Sequence, residues 1–425
     1  MQETLFGNGV TMSPSFTRTS RDGILGVSSY QGATTFPASS SEKGIAEHGD
    51  DEKNMANITQ LDQKKEQKIL RMRSNIKTVS LFSGGGGLDL GFAAAGYDVV
   101  YANDIDEYSC RSLVANQEKK EYYRTHQVVA EDISALTGKD IFKAAGLKLG
   151  DIDMVIGGPP CQSFSIFGKR KGMKDPRGNM IWEYCRIIKE LEPKAFLFEN
   201  VFGLKSIHGG TLIESLKEGL SINGTYDVDI QTYQLANYGI PQFRERVVII
   251  GNMVAKKIPL LEVSHGPTAP LPYRTVQEVL KNMPTPNQNS GLQNHTGREH
   301  STRIIKRYAN LRHGERDPKT RINKLNPSKP SYTIIVGSDH GGGKGHVHPY
   351  QPREVTPRES ARLQSFPDWW HFDGKGRHVI RQVGNAVPPL FAIQMAAHIK
   401  KHIFGAKETL SYSDSIKRLG LTFLQ

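Results

Sequence analysis

Between Ile76 and Gly251 the chain alternates short apolar runs with longer stretches of helical periodicity. The runs are Ile76–Phe82, Asp98–Asn103, Gln127–Ala130, Ile152–Gly158, Ala195–Val201, Asp227–Tyr233 and Arg246–Gly251. Each is short enough for a buried strand, and the intervals are long enough for a crossover helix. The pattern predicts βαβ units around a mostly parallel sheet, an α/β fold. Ligands of such sheets sit beyond the carboxyl ends of the strands, so the residues that close each run are the first place to look for chemistry.

On either side the pattern changes. Residues 1–74 are rich in Ser, Thr, Gly and Pro and then charged, which predicts a disordered extension; the basic stretch Lys64–Arg73 reads as a solvated helix with no function of its own. After Asn252 the alternation stops, and Pro, Asn, His and Arg dominate until about Pro352. Helical patterning returns at Pro357–Gln364 and Pro389–Ile403, and there is no internal repeat. The expected organisation is a catalytic and cofactor-binding domain over 75–255, a second domain over 256–356, a segment returning to the first domain over 357–405, and a tail over 406–425.

Charge narrows the partner. The chain carries 55 Lys and Arg against 43 Asp and Glu, a net +12. Between Arg298 and Lys329 ten basic residues face three acidic ones, so this short segment supplies +7 of that excess and favours a polyanion. No stretch approaches the ~18 apolar residues of a membrane span. Met1–Ser20 lacks the layout of a secretory signal, so an intracellular protein is expected. Three cysteines, Cys110, Cys161 and Cys185, rule out a disulfide framework or a Cys-rich metal site.

The first run leads into Phe82-Ser-Gly-Gly-Gly-Gly-Leu-Asp-Leu-Gly91, a glycine-rich turn opening a helix, where backbone N–H groups favour a negative ligand group. A nicotinamide fingerprint fails, because Asp89 or Leu90 stands where its third glycine belongs. The second run ends in Asn103-Asp104, placing a carboxylate to accept from ribose hydroxyls. A plain tight turn with a helix-capping Asp remains the alternative.

The fourth run enters Gly157-Gly158-Pro159-Pro160-Cys161-Gln162-Ser163-Phe164-Ser165, whose glycines and prolines fix an irregular backbone around the thiol. The next run ends Phe198-Glu199-Asn200-Val201, so Glu199 is expected to share a crevice with Cys161. Cys110 and Cys185 lie in helical patterns and read as structural. A free thiol needs nearby positive charge to react at neutral pH. Arg244 and Arg246, in Pro241-Gln242-Phe243-Arg244-Glu245-Arg246, are candidates, although a surface ion-pair cluster fits this segment equally well.

These blocks, followed by Arg358-Glu-Ser-Ala-Arg-Leu-Gln-Ser-Phe-Pro367 and Gln382-Val-Gly-Asn-Ala-Val-Pro-Pro389, resemble the DNA cytosine-5 methyltransferases of the bacterial restriction-modification type. The likeness spans about Ile76 to Ile403. It implies the class I S-adenosylmethionine-dependent methyltransferase fold, Rossmann-like with a mostly parallel sheet, and a smaller target-recognition domain. It implies S-adenosyl-L-methionine as cofactor and double-stranded DNA as partner, with room for a cognate restriction endonuclease, in a monomer of the bacterial cytoplasm. The family's tRNA-acting branch and a DNA-binding scaffold without catalysis are the competing readings.

Residue by residue, the resemblance makes Cys161 the nucleophile at C6 of cytosine, Glu199 the group beside N3, and Arg246, with Arg244, their support. It assigns Phe82, Gly84, Gly86 and Leu88 to the cofactor turn, Asp104 to the ribose and Asp132 to adenine. Pro160, Asn385 and Val387 complete the cofactor set. Ile105 stands where relatives often carry an aromatic residue, leaving apolar packing against the adenine face. The loop Gly168–Gly178, with five basic residues, is expected to close over DNA. Asp339–His348 lacks a metal-site spacing, and no metal is expected.

Overall fold

The computed structural model describes residues 76–160, 180–254, 257–288, 290–334, 345–407 and 409–425, excluding the side chains of 207 and 208. Cys161, the loop 168–178, the extension 1–74 and most of the Asp339–His348 stretch lie outside the described residues.

All seven apolar runs form strands: β1 (Lys77–Leu81), β2 (Asp98–Asp104), β3 (Gln127–Ala130), β4 (Met154–Gly157), β5 (Ala195–Val201), β6 (Asp227–Gln234) and β7 (Glu245–Asn252). They make one sheet in the order β3-β2-β1-β4-β5-β7-β6. Pairs β1–β2, β1–β4, β2–β3 and β4–β5 are parallel, whereas β7 runs antiparallel to both β5 and β6. The central strands read as continuous apolar runs because both faces are covered. Successive side chains serve opposite faces: Met154, Ile156, Leu197, Val248 and Ile250 join one core, and Val155, Phe196, Phe198, Val247 and Ile249 the other.

Helices cover both faces. The first core takes α1 (Gly87–Ala94), which follows β1, and α10 (Pro389–His402), near the far end of the chain. These two helices touch because Gly91 has no side chain: a Cβ there would lie 2.3 Å from the Cβ of Ala392. The second core takes α3 (Gly138–Ala145), α4 (Met180–Leu191) and α5 (Thr211–Ser221). After β2 comes α2 (Glu107–Asn116), N-capped by Asp106, whose side chain accepts from the backbone N–H of Ser109.

The basic segment has little regular structure beyond α6 (Val276–Leu280) and α7 (Thr302–Asn310), as its Pro- and Asn-rich sequence dictates. It has a small core of its own, Tyr308, Leu311, Ile322 and Val347, while Arg303 and Lys306 of α7 are exposed. The chain then returns through α8 (Pro357–Leu363) and α9 (Gly376–Asn385). Arg358, fully buried, fastens this return by donating to the carbonyls of Gln293, Pro367 and Trp370. The final helix, α11 (Tyr412–Leu419), buries Ile416 and Leu419 and receives hydrogen bonds at the Leu419 carbonyl from Trp369 and at the Arg418 carbonyl from Tyr122. Among the described residues, no helix is long and apolar enough to cross a membrane.

Candidate active site

β1 is flanked by β2 on one side and β4 on the other, so its carboxyl end is the switch point of the sheet. A cavity of about 710 Å3 opens there, lined by the glycine-rich turn, the ends of β2, β4 and β5, the start of β7 and the last turn of α9. A second cleft of about 550 Å3, between the basic segment and the start of α9, contains none of the catalytic or cofactor residues expected from the sequence.

The turn begins with Phe82 at φ +54°, a left-handed conformation that a bulky side chain adopts only under constraint. Gly84 and Gly86 continue with positive φ. Gly85 and Gly87 are needed for a different reason. A Cβ on Gly85 would lie 2.9 Å from the Gln382 carbonyl oxygen, and one on Gly87 only 1.9 Å from that of Val387. The glycine run therefore makes room for the returning segment. One donor of this turn is already engaged, since the Gly84 N–H donates to Asp104 Oδ2 at 2.8 Å, and Asp89 lies fully buried in the first turn of α1.

Asp104 is held at both oxygens, since Oδ1 accepts from the backbone N–H of Asp106 at 2.8 Å. Burial pushes its carboxyl up from the usual range, against the pull of the N–H groups of Asp106 and Gly84. Ile105 beside it is 68% exposed, an apolar face presented to the cavity. Asn103 ties the end of β2 to β3 and the loop after it through the carbonyls of Val129 and Glu131. Asp132, in that loop, caps a short turn through Ser134 and does not line the cavity. Gly86 does not line it either; a Cβ there would lie 2.6 Å from both Leu113 and Trp370, so its work is packing.

The Asn200 side chain donates to the Pro159 carbonyl at 2.9 Å, fixing the loop beyond β4 against the end of β5. Glu199 Oε2 abuts Gly158, where a Cβ would approach it to 3.0 Å. Glu199 Oε1 stands 2.7 Å from Arg246 Nε, with both side chains more than nine-tenths buried. The antiparallel pairing of β5 and β7, with Val201 opposite Arg246, brings these groups onto one face. Burial pushes the Arg246 guanidinium below the usual arginine value, and Glu199 opposes that shift.

Arg244 is 1% exposed and donates to the carbonyls of Gly384 at 2.8 Å and Ala386 at 3.2 Å. Its guanidinium is pushed down by burial and by the charge of Arg246, with Glu199 opposing. The structure thus places it as a tie between β7 and the Gly-Asn-Ala-Val block.

Of the described sequence candidates, Phe82, Gly84, Leu88, Asp104, Ile105, Pro160, Glu199, Arg244, Arg246, Asn385 and Val387 line the cavity. Sequence reasoning passed over Asp106 and Arg381, which also line it and form an ion pair at 2.6 Å. The available signals were an acidic residue two positions after Asp104 and a cation one helical turn before Asn385.

Comparison with known proteins identifies the family. Residues 76–401 match the family "C-5 cytosine-specific DNA methylase". The chain is 33% identical to the type II methyltransferase M.XorII of Xanthomonas oryzae pv. oryzae, covering 76% of this chain and 84% of that protein. It is 34% identical to M.NgoFVII of Neisseria gonorrhoeae, another type II methyltransferase, over 76% of this chain and 86% of that one. Among solved structures it is similar to a DNA modification methyltransferase encoded within an E. coli prophage, with TM-score 0.62 and 28% identity over 77% of this chain and 99% of that one. The Dnmt2 methyltransferase of S. pombe shares the fold, with TM-score 0.54 and 17% identity over 76% of this chain and 98% of that one.

Proposed function

The chain belongs to the C-5 cytosine-specific DNA methylase family, and from that premise we propose that it modifies a flipped-out cytosine within a short duplex sequence through a covalent bond between Cys161 and C6. The enzyme is a DNA (cytosine-5)-methyltransferase that uses S-adenosylmethionine. The single observation that carries the mechanism is the buried Glu199–Arg246 pair, which opens onto the same cavity as the glycine-rich turn and Asp104.

The residues present fit the cofactor. The cavity has the size of a nucleoside-ligand site. Each oxygen of Asp104 accepts one backbone N–H and keeps a second lone pair for a ribose hydroxyl. Exposed Ile105 offers an apolar surface to adenine, while Phe82, Gly84, Leu88, Pro160, Asn385 and Val387 would enclose the rest. When bound, S-adenosylmethionine supplies a methyl group activated by its sulfonium.

Cytosine C5 is a poor nucleophile until the aromatic ring is broken. The Cys161 thiolate adds to C6, and Glu199 stabilises the adduct at N3, where charge develops. Arg246 holds the Glu199 carboxyl group in place through their 2.7 Å contact. C5 becomes an enamine-like carbon able to take the methyl group. Loss of the C5 proton then breaks the C6–sulfur bond and returns the Cys161 thiolate. Arg244 acts here as a positioning residue, holding the segment that carries Asn385 and Val387.

The base must leave the helix first, at a cost of a few kcal/mol. The basic segment 256–356 would read the major groove while phosphate contacts set register, and the cationic loop 168–178 would cover the opened site. A cognate endonuclease cutting the same sequence would complete the system.

The test is a duplex containing 5-fluorocytosine, which blocks proton loss at C5. With S-adenosylmethionine it should become covalently linked to the full-length enzyme. Cys161→Ala should form no such species while binding the cofactor as the parent does. A wild-type enzyme that methylates DNA without trapping, or label appearing only in tRNA, would overturn the proposal.

A further inference from the structure

The mouth of the cofactor cavity carries a concentration of negative charge. Asp104 and Asp106 both line it, two residues apart at the end of β2 and the start of α2. Asp89 lies buried on α1, close enough for Asp104 to raise its carboxyl further. The Cys110 thiol of α2 faces Asp104 as well, donating to its backbone carbonyl. From the opposite side α9 contributes Arg381, which lines the same cavity and places Nη2 2.6 Å from Asp106 Oδ1. Asp106 Oδ2 meanwhile accepts from the Ser109 hydroxyl at 2.9 Å. Its backbone N–H donates to Asp104 Oδ1. Arg381 is therefore joined to Asp104 by one continuous chain of contacts running through Asp106.

We propose that Arg381 is a positioning residue for cofactor binding, which fixes Asp106 and balances the charge of the Asp104–Asp106 pair so that Asp104 presents an ionised carboxylate to the ribose. This rests on the proposed role of Asp104 and adds to it a part played by the returning segment. The direction of the electrostatics agrees: the charge of Arg381 pulls the Asp104 carboxyl down against the upward push of burial and of Asp106. The ion pair is not what fastens α9 to α2. Ser112 donates to Gln382 Oε1 at 2.6 Å, Arg111 pairs with Asp373 at 2.5 Å, and the Tyr108 and His378 rings stack at 3.9 Å. Arg381 itself is 40% exposed, so its truncation leaves the packing intact.

The experiment is calorimetric titration of the full-length protein, without DNA, using S-adenosylmethionine and separately S-adenosylhomocysteine, from pH 5 to 8. Arg381→Ala should weaken both ligands by about fivefold at neutral pH, in line with a partly exposed pair. Arg381→Lys, which keeps the charge, should restore most of the affinity. Cofactor affinity should fall as pH drops through the Asp104 pKa, and removing Arg381 should move that midpoint to higher pH, because the ionised form loses its cation. Unchanged affinity and midpoint in Arg381→Ala would overturn the proposal. So would a gain confined to S-adenosylmethionine, which would mean that Arg381 only repels the sulfonium. Asp104→Asn separates the two readings: if it binds both ligands normally, the ribose assignment itself fails, whereas weak binding by Asp104→Asn with normal binding by Arg381→Ala rejects the role of Arg381 alone.

Discussion

Neutralising Glu199 tests whether the buried pair works as chemistry or as scaffold. Glu199 and Arg246 are both more than nine-tenths buried, and the fully buried Arg244 lies close enough for its charge to feel both. The charge of Glu199 therefore acts on two guanidiniums, Arg246 in direct contact and Arg244 at longer range. Removing one member of a buried pair costs about 3–5 kcal/mol, and Glu199→Gln should fall at the upper end because two cations lose their counter-charge together. Arg246→Met should cost less, about 2 kcal/mol, since it relieves the repulsion on Arg244 and leaves Glu199 facing that residue. The double variant leaves a single cation, so its cost should fall short of the sum of the singles by about 3 kcal/mol. Urea unfolding of the full-length chain, followed by tryptophan fluorescence, gives these differences from the midpoints at a common slope. Methyl transfer to DNA should be lost in all three, including the double variant, whose stability should be no worse than that of Glu199→Gln. Additive costs, or an Arg246→Met variant less stable than Glu199→Gln, would refute the shared-carboxylate argument; a double variant that still transfers methyl groups would reduce the pair to scaffolding.

Gly87→Ala should destabilise the enzyme by about 2–3 kcal/mol, because a Cβ 1.9 Å from the Val387 oxygen forces the turn and the returning segment apart, outweighing the gain of under ~1 kcal/mol from alanine in a helix. Cofactor affinity should fall with it, and Gly203→Ala, where a Cβ meets nothing, is the silent control; parental melting and binding by Gly87→Ala would contradict the packing described. Burial pushes the Asp89 carboxyl up to about 7, against a hydrogen bond from Ser80. The folded state then binds a proton that the unfolded chain releases, so stability should decline from about pH 4 to 7 by a few kcal/mol and level off above that. Asp89→Asn should flatten the slope, and parallel pH profiles for the two proteins would rule out a buried ionising group at this position.

Sequence and structure coincide where the signal is local and diverge where the partner is distant. The seven strands were legible because strands covered on both faces are continuous in hydrophobicity. The reversed direction of β7 was present too, but in a length: only ten residues separate β6 from β7, too few for a parallel crossover. That reversal brings Arg246 beside Glu199, so the pair was legible only as two strand-end candidates. The purpose of the glycine run was hidden, since Gly85 and Gly87 yield to Gln382 and Val387, some 300 positions away. Gly86 and Asp132 occupied the expected places in the sequence, yet stand apart from the cavity, because a motif gives a position along the chain and not the direction a side chain takes.

The cavity is assembled from both sides of the basic segment and takes no described residue from within it. Its floor comes from the turns after β1 and β4, the ends of β2 and β5 and the start of β7, its far wall from α9 and the block before α10, and no described residue between 253 and 356 enters it. Two buried arginines make this arrangement workable at the junctions. Arg244, just before β7, holds the carbonyls of the returning wall, and Arg358, at the start of α8, ties the return to Gln293 in the basic segment. Each meets several carbonyls with one rigid fork, which fixes orientation as well as distance. The segment between the junctions is braced against the site as well: Ser331 exchanges backbone hydrogen bonds with Pro241 and Phe243, and the Ile334 N–H donates to Gln242 Oε1, just before Arg244.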